Sequence, residues 1–452
     1  RVAGEATVAI APFSLPAPDQ TGASELAQSA AVAMFVARAR EARPDFVLTD
    51  GNARAVADIC TRLDGIPLGI ELAAARCRML PPAAIRDRLD TALALRDRSN
   101  IARDTRQQTL RDTIAWSYEL LDADQQHTLR AASRFEQGFF AEALEAVSPT
   151  TDSLDDLDTL LDHHLVVRDL SWSSIDEPRF RMLETIRQFA TEKRVELDDL
   201  AACETAYLAH MQTVAERGGA ALESGSDASA ALLLEADHAN LRSAMDVALN
   251  HDREAAAVLG QSLWRFWLAR GHLREGIGFL DQVLAAPVEM SNASRSRLLQ
   301  ARAVLRETRG DLGGARDDWA EAVATAEGEA DHKLLAAALG GLGTASEAMG
   351  DLAAASDAYQ RALTIHRETG NKRGLAACLH YLGSIALMQG DLEEAAERNT
   401  ESLALWRELG EMLPLAYAIQ QAGIIAFLNG AYDTAVARYT EALTLAETLG
   451  DR

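Results

Sequence analysis

The last 150 residues of the sequence repeat with a period of 40, and this periodicity limits the chain to few folds. Each period contains two glycines about 20 residues apart, which can take the left-handed conformation after a helix C-terminus. The two sets are Gly310, Gly350, Gly390 and Gly430, and Gly370, Gly410 and Gly450. The spacing predicts two helices of roughly 15 residues in each period, joined as a hairpin that stacks on its neighbours.

Small side chains recur five and twelve residues after the first glycine of each period, with a larger side chain between them. The small positions are Ala315, Ala355, Ala395 and Ala435, then Ala322, Ala362, Ser402 and Ala442, and the larger residues are Trp319, Tyr359, Asn399 and Tyr439. Small residues let two helices approach closely, and the larger one fills the gap beside them. The pattern resembles the tetratricopeptide repeat, in a 40-residue version of the usual 34-residue period.

The array extends upstream to Gly271, with Gly276 and Leu280 at the small and large positions. Its first helix then carries the aromatic residues Trp264, Phe266 and Trp267. We interpret all three as packing residues rather than as an aromatic binding site. Residues 251–452 are therefore assigned to the repeats, and residues 196–250 to a helical connector.

The part of the chain before residue 196 shows no repeat. An amphipathic pattern predicts one helix from Ser24 to Ala42, with Ser24 as its N-cap, and Pro67 is suited to a first helical turn. Between 105 and 195, helical segments are followed by two short apolar runs around a polar stretch, which is the order of a winged helix. We expect the end of a preceding core and a linker over 1–23, a helical domain over 24–104 and a winged helix over 105–195. The predicted fold is mainly α, ending in an α-solenoid.

Composition agrees with helices and argues against several classes of function. Alanine and leucine supply most of the apolar content, which favours packed helices. A net charge of -24 disfavours binding of nucleic acid phosphates. The four cysteines have neither disulfide nor zinc spacing, so we expect buried thiols. The absence of a long uncharged apolar run and of a signal layout predicts a cytoplasmic chain without membrane contact.

Catalytic motifs are also missing. The sequence has no G-x-S-x-G elbow and no H-E-x-x-H pair. His163 and His164 are adjacent on a predicted helix and so point in different directions, which does not suit metal binding. We expect no catalytic residue, no metal site and no enzymatic activity in this chain by itself.

Three strings give the chain a more specific identity. They are LDGIPLGIELAA at 63–74, QTLRDTIAWSY at 108–118 and RMLETIRQFA at 181–190. In this order they resemble the STAND, or NB-ARC-like, signalling ATPases, in particular bacterial regulators of the LuxR/AfsR type that end in tetratricopeptide repeats. The first string looks like the G-x-P motif of the helical domain beside the nucleotide. The third looks like the position of the M-H-D motif that closes the winged helix.

The resemblance implies nucleotide-contacting residues at Gly65, Pro67 and Glu184. In that family the proline of the motif packs near the adenine. A purely structural explanation is also possible, because proline is favoured at the first position of a helix, where Pro67 is predicted to lie. Where relatives carry the histidine of M-H-D, this chain has Leu183, which can neither donate a hydrogen bond to a phosphate nor titrate. Phosphate sensing by that residue is therefore not expected here.

A phosphate-binding loop of the form G-x-x-x-x-G-K-[ST] is absent from the sequence. Only three lysines occur, Lys193, Lys333 and Lys372, and none follows a glycine. The resemblance places residue 1 just after an ATPase core, so we expect an upstream P-loop ATPase domain as a partner, with ATP or ADP and magnesium bound by the full-length protein. We predict weak or no ATP binding by residues 1–452 themselves.

The predicted winged helix raises the question of DNA binding. Its would-be recognition helix has no lysine or arginine, and it carries Asp152, Asp155, Asp156, Asp158 and Asp162. Such a helix would oppose a phosphate-lined groove, so we expect a regulatory winged helix and no direct DNA binding by this region. An arginine run from 86 to 111 is interspersed with aspartates and is interpreted as a solvated, ion-paired surface.

Two functions are compatible with these motifs. The first is the regulatory and sensor portion of a STAND-type regulator, in which the repeats bind an inducer, peptide or partner protein along a groove lined by the first helix of each hairpin. The second is an interaction scaffold without a nucleotide switch, and the sequence upstream of Arg1 would separate the two. Aligning the repeats places these residues in the groove: Arg297, Gln300, Glu307, Thr344, Glu347, His380, Ser384, Tyr417 and Gln420.

Overall fold

The structure is a computed structural model, and helices dominate it, which confirms the predicted mainly α fold. It describes residues 12–17, 20, 22–63, 65–78, 80–89, 114–115, 118–119, 121–148, 152–163, 165–172, 175, 177–197, 200–225, 229–285, 290–329 and 331–449. Several predictions lie outside these ranges: the string at 108–118 for the most part, most of the arginine run, His164 and Gly450. They stay predictions.

Five helices and a 3₁₀ turn form the described N-terminal part. They are α1 (Ala23–Leu26), α2 (Ala30–Ala42), α3 (Asp50–Arg62), α4 (Pro67–Ala75), the 3₁₀ turn Arg76–Arg78 and α5 (Pro82–Leu89). The prediction of one helix from Ser24 to Ala42 is wrong, because the helix is interrupted between Leu26, where α1 ends, and Ala30, where α2 begins. Ser24 lies inside α1, and Ser29, rather than Ser24, is the residue that precedes the longer helix. The Ser29 hydroxyl donates to the Ser14 carbonyl at 2.6 Å, which anchors this break to the preceding segment.

The elements that the structure describes next include four helices and a small sheet. They are α6 (Ala123–Ala132), β1 (Phe139–Phe140), α7 (Ala141–Val147), α8 (Ser153–Asp162), β2 (Val167–Asp169), β3 (Arg179–Arg181) and α9 (Glu184–Glu196). Strands β2 and β3 pair antiparallel, as the two apolar runs predicted, and β1 adds to the other side of β3. Strand β1 was not predicted, since two residues are too short for a strand pattern. Aromatic rings pack beneath it, with Phe135 and Phe139 centroids 5.2 Å apart.

The rest of the described chain is helical. A connector contains α10 (Leu200–Ser224), α11 (Ala230–Ala236) and α12 (His238–His251). The first helices of the hairpins are α13 (Arg253–Arg270), α15 (Asn292–Arg309), α17 (His332–Ala348), α19 (Lys372–Gln389) and α21 (Met412–Leu428). The second helices are α14 (Leu273–Ala285), α16 (Leu312–Ala326), α18 (Leu352–Thr369), α20 (Leu392–Leu409) and α22 (Tyr432–Leu449).

Turns inside three of the hairpins carry the same tripeptide, Gly-Asp-Leu, at 310–312, 350–352 and 390–392. Gly310 and Gly390 follow their helices with φ values of 90° and 82°, in the left-handed region that glycine adopts without strain. The aspartate after each glycine then caps the next helix. The Asp351 carboxylate, for example, accepts a hydrogen bond from the Ala354 amide at 3.1 Å. Two successive residues thus end one helix and begin the next, which explains why the tripeptide recurs.

Packing between the hairpins follows the predicted small and large positions. Ala315, Ala355 and Ala395 are completely buried. Trp319 and Tyr359 are buried beside them, in agreement with the gap-filling role. Tyr439 departs from the pattern and is 38% exposed.

Contacts along the chain divide it into two units. The first comprises Arg1–Met211 and Glu235–Ala244, and the second comprises Gln212–Leu234 and Met245–Arg452. In the first unit the buried guanidinium of Arg179 on β3 donates to the Ala236 carbonyl at 2.6 Å and pairs with the Asp237 carboxylate at 3.2 Å. The segment 235–244 is therefore held to the small sheet by a buried charged contact.

All four cysteines are buried and unpaired, as predicted. Burial raises the pKa of the Cys77 thiol to about 11, which keeps it protonated at neutral pH. Across the described part of the chain, no helix combines the length and the apolar character needed to cross a bilayer.

Candidate functional site

The predicted nucleotide-contacting residues lie in the first unit. Gly65 is buried with a φ of 69°, and a Cβ built at this position would lie 2.4 Å from the Phe13 carbonyl oxygen. The Phe13 amide donates to the Gly65 carbonyl at 3.0 Å. Glycine is thus required here by its own backbone conformation and by the chain that crosses it.

Pro67 and Glu184 each begin a helix. Pro67 is exposed at the first position of α4, where its missing amide costs no hydrogen bond. Glu184 opens α9 and accepts hydrogen bonds from Arg187 at 2.8 Å and Gln188 at 2.9 Å. These are helix-start roles, and a nucleotide contact by any of the three residues stays a prediction.

The predicted groove residues lie on the first helices of the hairpins, and we call this surface the first-helix face. Its central glutamates are already engaged within the protein. Glu307 accepts a hydrogen bond from the Trp319 indole nitrogen at 2.8 Å, and Glu347 accepts one from the Tyr359 hydroxyl at 3.3 Å. Thr344 lies 3.1 Å from the same hydroxyl. These side chains therefore help to hold the gap-filling aromatic residues in place.

Burial raises the pKa of Glu307 and of Glu347 above the ordinary value of 4.5. In both cases the hydrogen bond from the aromatic side chain opposes this effect. The centre of the first-helix face is thus less available to a ligand than the sequence suggested.

An upstream cavity of about 440 Å³ contains two of the predicted residues, Arg297 and Gln300. Arg297 pairs with the Asp331 carboxylate at 3.2 Å, and the Gln300 amide donates to the Leu334 carbonyl at 3.3 Å. Trp264 lines the same cavity, together with Arg265, Lys333 and other residues of α13, α15 and α17.

The three upstream aromatic residues differ in burial. Phe266 and Trp267 are completely buried, as packing residues should be. Trp264 is only half-buried, and the Arg265 guanidinium lies 4.2 Å from its ring centroid. The predicted packing role is therefore confirmed for Phe266 and Trp267, whereas Trp264 is only partly packed and also lines the upstream cavity.

A downstream cavity of about 610 Å³ contains two further predicted residues, His380 and Tyr417. Burial lowers the pKa of His380, so its imidazole is neutral at neutral pH. The remaining lining comes from α19 and the residue before it, from the start of α21 and from one residue of α20: Asn371, Arg373, Gly374, Ala377, Tyr381, Trp406, Leu413 and Pro414.

Ser384 and Gln420 are not lining residues of either cavity. Gln420 is exposed, whereas its neighbour Gln421 is buried and donates to the Ser384 hydroxyl at 2.8 Å and to the His380 carbonyl at 3.1 Å. Asn399, at a position that holds an aromatic residue in other hairpins, donates to the Gln421 side chain at 2.8 Å. This buried amide network was not foreseen, although an asparagine in a row of aromatic residues was its signal.

The aspartates of α8 are placed nearly as predicted. Asp152, Asp155, Asp158 and Asp162 are exposed. Asp156 is an exception: it is buried and accepts a hydrogen bond from Thr128 at 2.9 Å. The outer side of α8 is therefore acidic, with one carboxylate fewer than the sequence suggested.

Comparison with known proteins shows the same repeats. The tetratricopeptide repeat family matches residues 334–408. A protein of Mycobacterium tuberculosis named "Putative HTH-type transcriptional regulator" is 35% identical over 294 residues, which is 61% of this chain and 32% of that protein. The chain thus spans about a third of the length of this relative.

Two solved structures are also among those to which the chain is similar. One is a STAND protein with a tetratricopeptide repeat sensor from Pyrococcus horikoshii, with a TM-score of 0.42, 13% identity, and coverage of 91% of this chain and 59% of that one. The other is aspartyl phosphate phosphatase F from Bacillus subtilis, with a TM-score of 0.41, 11% identity, and coverage of 74% and 88%. On the family match and the hairpin geometry, the second unit of this chain contains an α-solenoid of tetratricopeptide type.

Proposed function

We propose that this chain is the regulatory and sensor portion of a STAND-type, ATP-dependent transcriptional regulator. The observation that carries the proposal is the joint presence of tetratricopeptide repeats and 35% identity to a protein named as a transcriptional regulator. The G-x-P string around Gly65 and the string that contains Glu184 add the resemblance to the STAND family. The three-stranded sheet after α6 supports assignment of a winged helix in the predicted position.

In this proposal the helical and winged-helix domains clamp a nucleotide held by an upstream P-loop domain, which would supply any ATPase activity. Gly65, Pro67 and Glu184 contribute contacts to it. Binding of an inducer or partner on the first-helix face shifts the population between two domain arrangements and allows ADP to be exchanged. The cavities that contain Arg297, Gln300, His380 and Tyr417 support ligand binding on that face.

The coupling is tested on the full-length polypeptide by fluorescent ADP exchange, with and without residues 250–452. We expect deletion to change the exchange rate, because the sensor biases the closed arrangement. If the rate of ADP exchange is the same with and without residues 250–452, no such coupling operates.

The nucleotide contact is tested by Pro67→Ala, with Pro81→Ala as a matched control. Both prolines are exposed and adjoin a helix start. We expect faster ADP release from the first variant only. If the two variants release ADP at equal rates, Pro67 does not contact the nucleotide.

The second candidate is an interaction scaffold with no nucleotide switch. The specific observation in its favour is that the first-helix face carries cavities of ligand size. Calorimetry on the full-length polypeptide separates the two: tight ADP binding supports the switch, and its absence supports the scaffold. Residues 1–452 by themselves are expected to bind ATP weakly or not at all.

A further inference from the structure

The downstream cavity between α19 and α21 gathers exposed apolar side chains. Tyr381, Leu413 and Tyr417 are 39%, 41% and 49% exposed, and all three line it. Large apolar side chains in contact with water are unfavourable unless something covers them, and a concave cluster of this kind marks a binding site. The side chains belong to two helices of adjacent hairpins, so the cavity depends on the stacking of the array.

The lining carries no unbalanced charge. The Arg373 guanidinium pairs with the Glu411 carboxylate at 3.1 Å, and burial, which lowers the pKa of His380, keeps that side chain neutral at neutral pH. A charged ligand would lose hydration on entry and would gain no free counter-charge from these residues. The charge balance of the cavity therefore favours a neutral ligand.

The size of the cavity favours a small molecule over a single side chain of a protein partner. Its volume of about 610 Å³ lies within the range of about 300 to 1,000 Å³ typical of small-molecule sites. The aromatic content of the wall gives the shape preference. The exposed side chains of Tyr381 and Tyr417 offer ring surfaces, against which a flat ring packs better than a branched aliphatic group.

The walls are held in place before any ligand binds. Gln421 on α21 donates hydrogen bonds to the His380 carbonyl and the Ser384 hydroxyl, which lie on α19. On the other side, the Tyr381 ring stacks on Tyr359, with centroids 5.0 Å apart and planes 8° apart. A preformed site loses little ordering entropy on binding, so even a small ligand can be held.

We propose that the downstream cavity binds a neutral small molecule with a planar aromatic ring system. The ring packs against Tyr381 and Tyr417, and Leu413 and Pro414 cover its edge. The binding itself stands on the cavity, whereas its meaning as an inducer signal rests on the function proposed above.

Indole is the probe for the test, because it is neutral, planar and small. Ligand-observed NMR on residues 1–452 is expected to give a dissociation constant on the order of 1 mM, a normal strength for so few atoms. Tyr417→Ala should weaken binding by about 3- to 10-fold, since one aromatic contact is lost. Tyr432→Ala is the matched control, because Tyr432 is 62% exposed and lies outside the cavity.

A second variant, Leu413→Asp, places a charge at the cavity without removing a buried side chain, and it should also weaken indole binding. Tryptamine and indole-3-acetate carry the same ring with opposite charges, and both are expected to bind more weakly than indole. The proposal is overturned if indole does not bind, if Tyr417→Ala and Tyr432→Ala have equal effects, or if either charged analogue binds as tightly as indole. Nucleotide exchange is measured in a separate experiment. A negative result there would contradict the proposed regulatory function but not the ligand site, and a negative result with indole would contradict the ligand site but not the regulatory function.

Discussion

At the scale of single residues, the repeated Gly-Asp-Leu tripeptide is a pair of local signals. The glycine takes the left-handed conformation that ends a helix, and the aspartate accepts an amide hydrogen bond that begins the next. Asp311, Asp351 and Asp391 all make this bond at 3.0 to 3.1 Å. Each side chain therefore satisfies an amide that would otherwise lack a partner.

Replacement of one capping aspartate should lower stability by a predictable amount. Asp351→Ala is expected to cost about 1 kcal/mol of unfolding free energy, as helix caps usually do. The control is Asp357→Ala on the same helix, since the Asp357 side chain is 73% exposed and lies at 4.0 Å from Arg361. Urea denaturation followed by circular dichroism measures both. A control as destabilised as Asp351→Ala would show that charge, not capping, is responsible.

The glutamates of the first-helix face give a second prediction at this scale. Glu307 and Glu347 have pKa values raised by burial, so the folded chain keeps their protons to higher pH than the unfolded chain. The two protonated carboxyl groups contribute to the free energy of unfolding below about pH 4.5, and this contribution is lost as the pH rises through their raised pKa values in the folded chain. Glutamine can still accept the hydrogen bonds from Trp319 and Tyr359, without this loss.

The double variant Glu307→Gln/Glu347→Gln should therefore show a smaller fall in urea midpoint than the wild type between about pH 4.5 and 7. At neutral pH it should be at least as stable as the wild type. The exposed residue Glu368 provides the control Glu368→Gln. Unchanged pH dependence in the double variant would mean that burial of the two carboxylates has no energetic consequence.

At the scale of elements, neighbouring hairpins are joined by charged groups as well as by small residues. Arg302 on α15 contacts the Asp318 carboxylate on α16 with its Nε at 3.0 Å, and the Asp281 carboxylate on α14 at 2.8 Å. Arg306 adds a contact to Asp318 at 2.9 Å. Because the Asp318 side chain is only 3% exposed, it depends on these arginines for compensation of its charge.

Removal of one arginine from this cluster should be costly. Arg302→Met is expected to destabilise the solenoid by up to about 3 kcal/mol, because the buried Asp318 carboxylate loses one of the two arginines that compensate its charge and keeps Arg306. Arg361→Met is the matched control, since Arg361 forms an exposed ion pair with Glu327, and its loss should cost at most about 1 kcal/mol. Thermal and urea denaturation compare the two. If the two variants lose similar amounts of stability, the buried cluster contributes no more than an exposed ion pair.

At the scale of the whole molecule, charge opposes nucleic acid binding. The chain has a net charge of -24, and residues 301–452 contain 23 acidic and 13 basic residues, a net of -10. The exposed side of α8 is acidic as well. A surface of this sign repels the phosphate backbone.

A mobility-shift titration of residues 1–452 with duplex DNA at low salt should therefore show no saturable binding below micromolar concentrations of protein. Low salt is chosen because it favours any electrostatic attraction. A saturable shift in that range would assign a DNA-reading role to this region.

The sequence by itself determined the repeat architecture, because a fixed period with glycine and small residues leaves one way to pack the helices. It also predicted the hairpin of β2 and β3, and it named four residues that the structure places in the two cavities: Arg297, Gln300, His380 and Tyr417. These features follow from local pattern and from the position within the period, which one chain reveals without its neighbours.

Only the tertiary structure decided which groove positions are free to meet a ligand. Glu307 and Glu347 share a repeat position, and each accepts a hydrogen bond from the aromatic residue twelve positions further along. Tyr417, on the same face, remains exposed. Trp264 and Trp267 lie three residues apart, and only the packing of neighbouring helices buries one and leaves the other in a cavity. The physical reason is that burial and hydrogen bonding depend on side chains from other hairpins, whose placement periodicity alone does not specify.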